Sequence, residues 1–441
     1  MSAAPPSGVS LFQYGFFALP LAFAGLPLYV HAPDFYTRDL GLSVGLTGVI
    51  LLAVRMFDAV QDPVIGYVSD KCAGRRFGIV VGGAFLLATG MMAVFYGPQF
   101  GVPAAAWFAF SMILATTGFS VATINLNMIG GFWHDEPDRR TRISAWRESF
   151  ALAGLLVASV LPAFLQNFKP AEESFRILFW IFGAAMVAGF VAFTCFMRRI
   201  PPGHKIMKAG TKKGLSFLPI LVGPDRRFFG VCFLTYLASS MPAVMVLFFI
   251  RDYLGAESLS GLFLFLYFAA GASLMGIWVR LAGRFGKEQA WLASMLLAVA
   301  TFIWAFFLQP GDIVAYGIIC VLSGTALGAD LALPPSILAD RVTRGKTESE
   351  ATQYYALLAF IPKTAIAIAG GASFIVLDRL GFVAGVQNPP ETMRGLITLY
   401  ALVPCAIKLV ASCSLWCLIK HERDRNQNFK RSAAYELTEI S

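Results

Sequence analysis

Charge is scarce in this sequence. Of 441 residues, 14% are charged and 57% are hydrophobic. A soluble domain carries roughly a quarter charged residues, so an ordinary solvated exterior is excluded. The apolar residues come in long runs rather than in alternation, and mean hydropathy is +0.67. That pattern describes an integral membrane protein made of helices. Basic residues are missing ahead of the first run, "MSAAPPSG", so the run lacks the charged start of a secretory signal and reads as a retained helix. Cysteines are few, seven in all, and scattered. Cys413 and Cys417 share a helix face, but two cysteines one turn apart are no disulfide framework; they read as small apolar side chains. The four histidines form no ligand cluster, so no structural metal is expected. No nucleophile–base constellation marks an enzyme.

Twelve candidate spans are present, at roughly 11–34, 43–69, 78–98, 103–132, 143–166, 175–197, 227–253, 258–282, 288–308, 312–339, 351–377 and 393–419. The net charge of +9 invites a nucleic-acid reading, but its distribution is topological. With both termini placed inside, inner loops and tail hold 25 of the 35 Lys and Arg, and outer loops hold six; Arg55, Arg147, Lys363 and Lys408 fall within spans. This is the positive-inside bias. The expected location is a bacterial cytoplasmic (inner) membrane with both termini cytoplasmic. Anionic lipid at the inner surface is a secondary partner, nucleic acid is not a partner, and the chain is expected to be a monomer.

The longest polar interruption before the tail is "RRIPPGHKIMKAGTKKGLSFLPILVGPDRR", from Arg198 to Arg227. Rich in Pro, Gly and Lys, it reads as a linker. The chain then divides into a six-helix bundle over 1–197, a linker over 198–226, a second bundle over 227–420 and a tail over 421–441. The halves echo each other. The second span runs into "GYVSDKCAGRRFG" and the eighth into "GIWVRLAGRFGKE", each ending in a basic loop with "RFG". A weak internal repeat about a basic linker is the pattern of a two-bundle transporter.

One stretch defies its surroundings. "RMFDAVQDPVIGYVSD", Arg55 to Asp70, places an arginine and three aspartates in or at the end of a membrane-length segment. Charge there costs at least several kcal/mol per group unless paired, solvated or bound. Asp58 and Asp62 are four residues apart and share one helix face, with Arg55 a turn before Asp58 and Gln61 a turn after it. Two ionised carboxylates this close repel, so one takes a proton or a cation sits between them. Carboxylates and an amide carbonyl also suit hard cations. The functional reading is a site for Na⁺ or H⁺; the structural one is an Arg55–Asp58 ion pair with Asp62 drawn toward an inner aqueous vestibule. Arg147 and Glu148, Asp330, Lys363 and Lys408 fall at comparable depth and mark a pathway. Asp330 and Lys363 are expected to pair across helices, and Lys408 to snorkel.

These segments together resemble the glycoside–pentoside–hexuronide:cation symporters, the melibiose-carrier branch of the major facilitator superfamily. "RMFDAVQDPVIGYVSDKCAGRRFG" is similar to its second-helix motif, "DRRTRISAWRESFALAG" to its entry into helix five, "FFIRDYLGAESLSGLFLFLYFAAG" to helices seven and eight, and "LALPPSILAD" with the downstream Lys363 to helices ten and eleven. The resemblance implies an all-α fold of twelve transmembrane helices in two six-helix bundles. It implies cation ligands at Asp58 and Asp62, with Gln61 standing where the family has asparagine, and a helix-four hydroxyl at Ser120. It implies Arg147 and Lys363 near the solute, and Asp70, Arg75 and Arg76 with Arg55 in gating. The sequence also departs from the family: the helix-one and helix-four sugar aspartates fall near Ala22 and Thr123, and a tryptophan becomes Asn127. A carboxylate is the usual acceptor for sugar hydroxyls, so a galactoside is not expected. Thr123, Asn125 and Asn127 still give helix four a polar stripe.

The expectation is therefore a secondary transporter, not an enzyme and without cofactor, coupling Na⁺ or H⁺ to a small polar solute that is sugar-like or an organic acid. The solute side chains are expected to be Thr123, Asn127, Arg147, Asp330 and Lys363. Two other classes stay open. One is a proton-coupled exporter or flippase of an amphipathic compound, which 40 Phe would suit. The other is a non-transporting receptor or assembly factor.

Overall fold

The computed structural model describes residues 7–439 apart from 100, 134–136, 167, 169, 201–222, 224 and 345–350. Most of the expected linker thus lies outside the described residues. Twelve long helical segments follow one another: α1 (Gly8–Arg38), α2 (Val44–Lys71), α3 (Arg76–Tyr96), α4 (Ala104–Phe132), α5 (Pro137–Gln166), α6 (Ala171–Arg199), α7 (Arg226–Tyr253), α8 (Ser260–Phe285), α9 (Lys287–Phe307), α10 (Ile313–Arg344), α11 (Ala351–Arg379) and α12 (Pro390–Asp424, helical on to Glu439). Among the described residues eleven are long and apolar enough to cross a membrane. The other, α5, opens on the charged run "PDRRTR" and turns apolar only in its second half.

Two bundles of six helices result, and their packing repeats. In the first half α1 packs on α5 and α6, α2 on α4, and α3 on α4 and α6. In the second half α7 packs on α11 and α12, α8 on α10, and α9 on α10 and α12, the same pairs six helices on. Small residues set these crossings, as expected where lipid supplies no hydrophobic drive between helices. A Cβ on Gly118 of α4 would lie 2.2 Å from the Leu87 nitrogen of α3, and one on Gly324 of α10 would lie 2.3 Å from the Tyr267 oxygen of α8. Either would force the helices apart.

The bundles meet through α2 against α11, α5 against α8 and α1 against α7. Both α1 and α7 relax into a π-helical turn near one end, Pro27–His31 and Phe249–Tyr253. Such turns concentrate at functional sites. On the face away from the chain termini the halves are pinned by charge. Arg251 of α7 pairs with Asp34 of α1, Arg38 pairs with Glu257, and Asp378 of α11 accepts from the Gly45 backbone N–H at 3.0 Å. At the other end Arg341 gathers Glu288, Glu422 and Asp225 at 2.7, 2.8 and 3.3 Å, tying the second bundle to itself.

Candidate functional site

The charged stripe of α2 faces α4 and α11. Asp58 is 1% exposed. Its Oδ1 accepts from Gln61 Nε2 at 2.9 Å and from Ser120 Oγ of α4 at 3.0 Å. Gln61 in turn accepts from Thr117 Oγ1 at 2.8 Å. Arg55 Nη1 stands 3.7 Å from Asp58 Oδ2, and its guanidinium lies 3.6 Å over the Tyr29 ring, in the π-helical turn of α1. These contacts all belong to the first bundle.

The second bundle supplies the remaining charge. Lys363 of α11 reaches across and places its ammonium against Asp62 Oδ2, 3.2 Å from Asp58 Oδ2, and donates to Ser120 Oγ at 3.1 Å. Two cations and two carboxylates therefore form one neutral cluster, with a protein ammonium sitting between the acids. Asp62 Oδ1 is buried without a hydrogen-bond partner among the described residues, an acceptor left over for a ligand. The chemistry of this donor set, two carboxylates with a serine hydroxyl and a side-chain amide, fits a hard cation or a proton.

Two sequence expectations are corrected here. Asp330 and Lys363 do not pair: Lys363 turns to the α2 carboxylates, and Asp330 pairs instead with Lys408 of α12 at 2.5 Å. Lys408 does not snorkel. It is 5% exposed and also donates to Ser239 Oγ of α7 at 3.1 Å, while the other oxygen of Asp330 accepts from Trp291 Nε1 of α9 at 2.9 Å. The reason is azimuth. Sequence gives depth along a helix, but packing around α10 turns Asp330 toward α9 and α12.

The other expected residues are distributed as follows. Arg147 donates to Asn127 Oδ1 and pairs with Glu148, so α4 and α5 do bring a guanidinium and an amide together. Thr123 Oγ1 is buried and has no partner among the described residues. Arg75 is exposed at the start of α3, and Arg76 beside it is fully buried; the Asp70 side chain lies outside the described ones. Thr117, Tyr29 and Trp291 were missed. Thr117 had a signal, since it lies one turn before Ser120 on the stripe that continues to Thr123 and Asn127. Tyr29 and Trp291 had none.

A two-bundle helical fold with a neutralised charge cluster at the seam defines a multi-pass transporter of the major facilitator type. The chain belongs to the MFS/sugar transport protein family, whose model matches residues 11–419. The resemblance read from the second-helix motif thus holds at the level of the family, and the protein is a transporter rather than an enzyme. It is similar to a Salmonella typhimurium protein provisionally named as a sulfoquinovose importer, 24% identical over 432 residues covering 89% of this chain and 85% of the relative. It is also similar to the glucuronide carrier protein homolog of Escherichia coli K12, 22% identical over 397 residues covering 87% and 86%. The fold matches the crystal structure of the nucleoside transporter NupG with a TM-score of 0.66 over 94% of this chain and 100% of that one, at 12% identity.

Proposed function

We propose that this protein couples Na⁺ or H⁺ to the movement of a small polar solute, sugar-like or an organic acid, by alternating access in a bacterial inner membrane with both termini cytoplasmic. The observation that carries the reading is the Lys363 ammonium held between Asp58 and Asp62. It stands in for a mobile cation, yet it is tethered to the opposite bundle. A coupling ion entering between the carboxylates would displace the ammonium and loosen α2 from α11. The two states of the transporter would then bind the ion unequally, which is the condition for coupling. The solute would lie between the bundles, against Thr123, Asn127 and Arg147 on the first-half side. Two relatives carry names for glucuronide and sulfoquinovose, both acidic sugar derivatives, and a guanidinium at Arg147 suits such a group.

Asp58→Asn and Asp62→Asn test the reading. Each should abolish ion-driven accumulation of solute in vesicles, while exchange of solute down its own gradient persists. Accumulation equal to the parent in both variants would mean that the carboxylates are structural and the symport reading is wrong.

A further inference from the structure

We propose that a cavity inside the second bundle binds the neutral, apolar or aromatic part of the transported solute, held by one oxygen acceptor on Lys408. The proposal deepens the solute reading above and rests on it. The cavity is open, with a volume of about 130 Å³, and is walled by α7, α8, α9, α10 and α12. Its lining is aliphatic and aromatic, with Phe263, Tyr267, Phe268 and Phe302 among the rings. The charged pair Asp330–Lys408 lies at its wall, each residue more than nine-tenths buried.

The hydrogen-bond inventory of that pair names the ligand. Both Asp330 oxygens already accept, one from Trp291 and one from Lys408. The ammonium has three donors. It uses one on Asp330 and one on Ser239, and the third has no partner among the described residues. The wall therefore offers a donor and asks for an acceptor. The pair is neutral as it stands, so an anionic group would set two negative charges around one ammonium in a low-dielectric site. A neutral carbonyl, ether or hydroxyl oxygen on an apolar body meets both conditions. Elsewhere on the wall, the Tyr316 and Tyr400 hydroxyls bond each other at 2.7 Å, and Tyr400 stacks on Phe249 at 4.1 Å, which makes that wall rigid. Val30 of α1 also lines the cavity. Its neighbour Tyr29 carries the guanidinium of Arg55, so an occupant would touch the same π-helical turn that braces the carboxylate cluster. The sequence departure fits as well: a pocket without sugar-binding aspartates near Ala22 and Thr123 must draw affinity from another part of the solute.

The test compares matched ligands on the purified full chain by calorimetry: methyl and 4-nitrophenyl β-D-glucuronide, with 4-nitrobenzyl alcohol as a probe that lacks the sugar. Two variants act on the cavity. Ala243→Phe fills it, and Asp330→Leu with Lys408→Met removes the donor while keeping the site neutral. In the parent the nitrophenyl compound should bind at least tenfold tighter than the methyl compound. That ratio should fall toward one in both variants, and saturable binding of 4-nitrobenzyl alcohol should be lost in both. A parent ratio near one, or a ratio unchanged in the variants, overturns the proposal. If neither glucuronide binds the parent, the sugar-like solute reading fails; the cavity then stands or falls on 4-nitrobenzyl alcohol, whose variant-sensitive binding supports it and whose failure to bind overturns it.

Discussion

Replacing Lys363 by Gln removes the protein's own cation from the carboxylate site and leaves its shape nearly intact. At 3.2 Å from Asp58 Oδ2, the ammonium's Coulomb interaction with that one acid is about 5 kcal/mol at an effective dielectric of about 20. Much of this is offset by desolvation of the ammonium, whose residue keeps a side-chain exposure of 24%. Measured couplings of close charge pairs start at about 1.5 kcal/mol, which is the increment we adopt. In Lys363→Gln the two acids face Arg55 alone and the cluster carries one net negative charge. A mobile cation would no longer compete with a tethered one, so its dissociation constant should fall by about tenfold, 1.4 kcal/mol being one decade. Calorimetric titration with NaCl at fixed ionic strength reads this directly, and titration with pH in Na⁺-free buffer reads the case of a proton. Without either ion the variant should melt lower than the parent, because two close acids repel, and added ion should restore the melting temperature. If neither Na⁺ nor H⁺ binds more tightly, the lysine is not a competitor and the stand-in argument fails.

The second charge pair calls for a stability cycle. Asp330→Asn and Lys408→Gln should each cost about 3–5 kcal/mol by stranding a buried charge, and the double variant should recover most of it; additive losses in thermal unfolding would show that the two do not act as a unit. Arg251→Gln should release the far-end pin on Asp34, so that a cysteine at Leu51, 8% exposed, labels faster from that face in a cysteine-free background. Equal labelling rates with and without Arg251 would remove its role as a latch. Cysteines at positions 210 and 435 should be inaccessible from outside intact cells, because the basic linker and tail belong on the inner side; labelling at either position overturns the topology.

How far the site was legible follows from the range of each interaction. Asp58, Gln61 and Asp62 share a face because helix geometry is local, and three- and four-residue spacing reveals it without any fold. The hydroxyl of Ser120 came only through family resemblance, though the 117–120–123–127 stripe on α4 was there to be read to its end. The repeat of basic "RFG" loops announced two halves, and the halves pack alike. Partnerships between helices were not legible. Asp330, Lys363 and Lys408 all announce their depth by interrupting apolar runs, but a pairing also needs azimuth, and azimuth is set by packing. The small residues that bring α8 against α10, at Gly271, Gly324 and Gly328, fix the rotation of α10 and with it the direction of Asp330. No spacing within one helix encodes that.

The corrected pairing also divides the labour of the two charge clusters. An ion shifts a conformational equilibrium only as far as its affinity differs between the states. Rocking of rigid bundles changes contacts between halves and leaves contacts within a half alone. The Asp330–Lys408–Trp291 cluster lies wholly in the second bundle. It would keep its geometry in both states, so a ligand's bond to Lys408 adds affinity without choosing a state. The Asp58–Asp62–Lys363 cluster is split, with its acids on α2 and its ammonium on α11. It must come apart if those helices separate, and the acids then need another positive charge. Of the two clusters it is the one whose need for a cation would depend on conformation, and so the one placed to couple an ion gradient to movement.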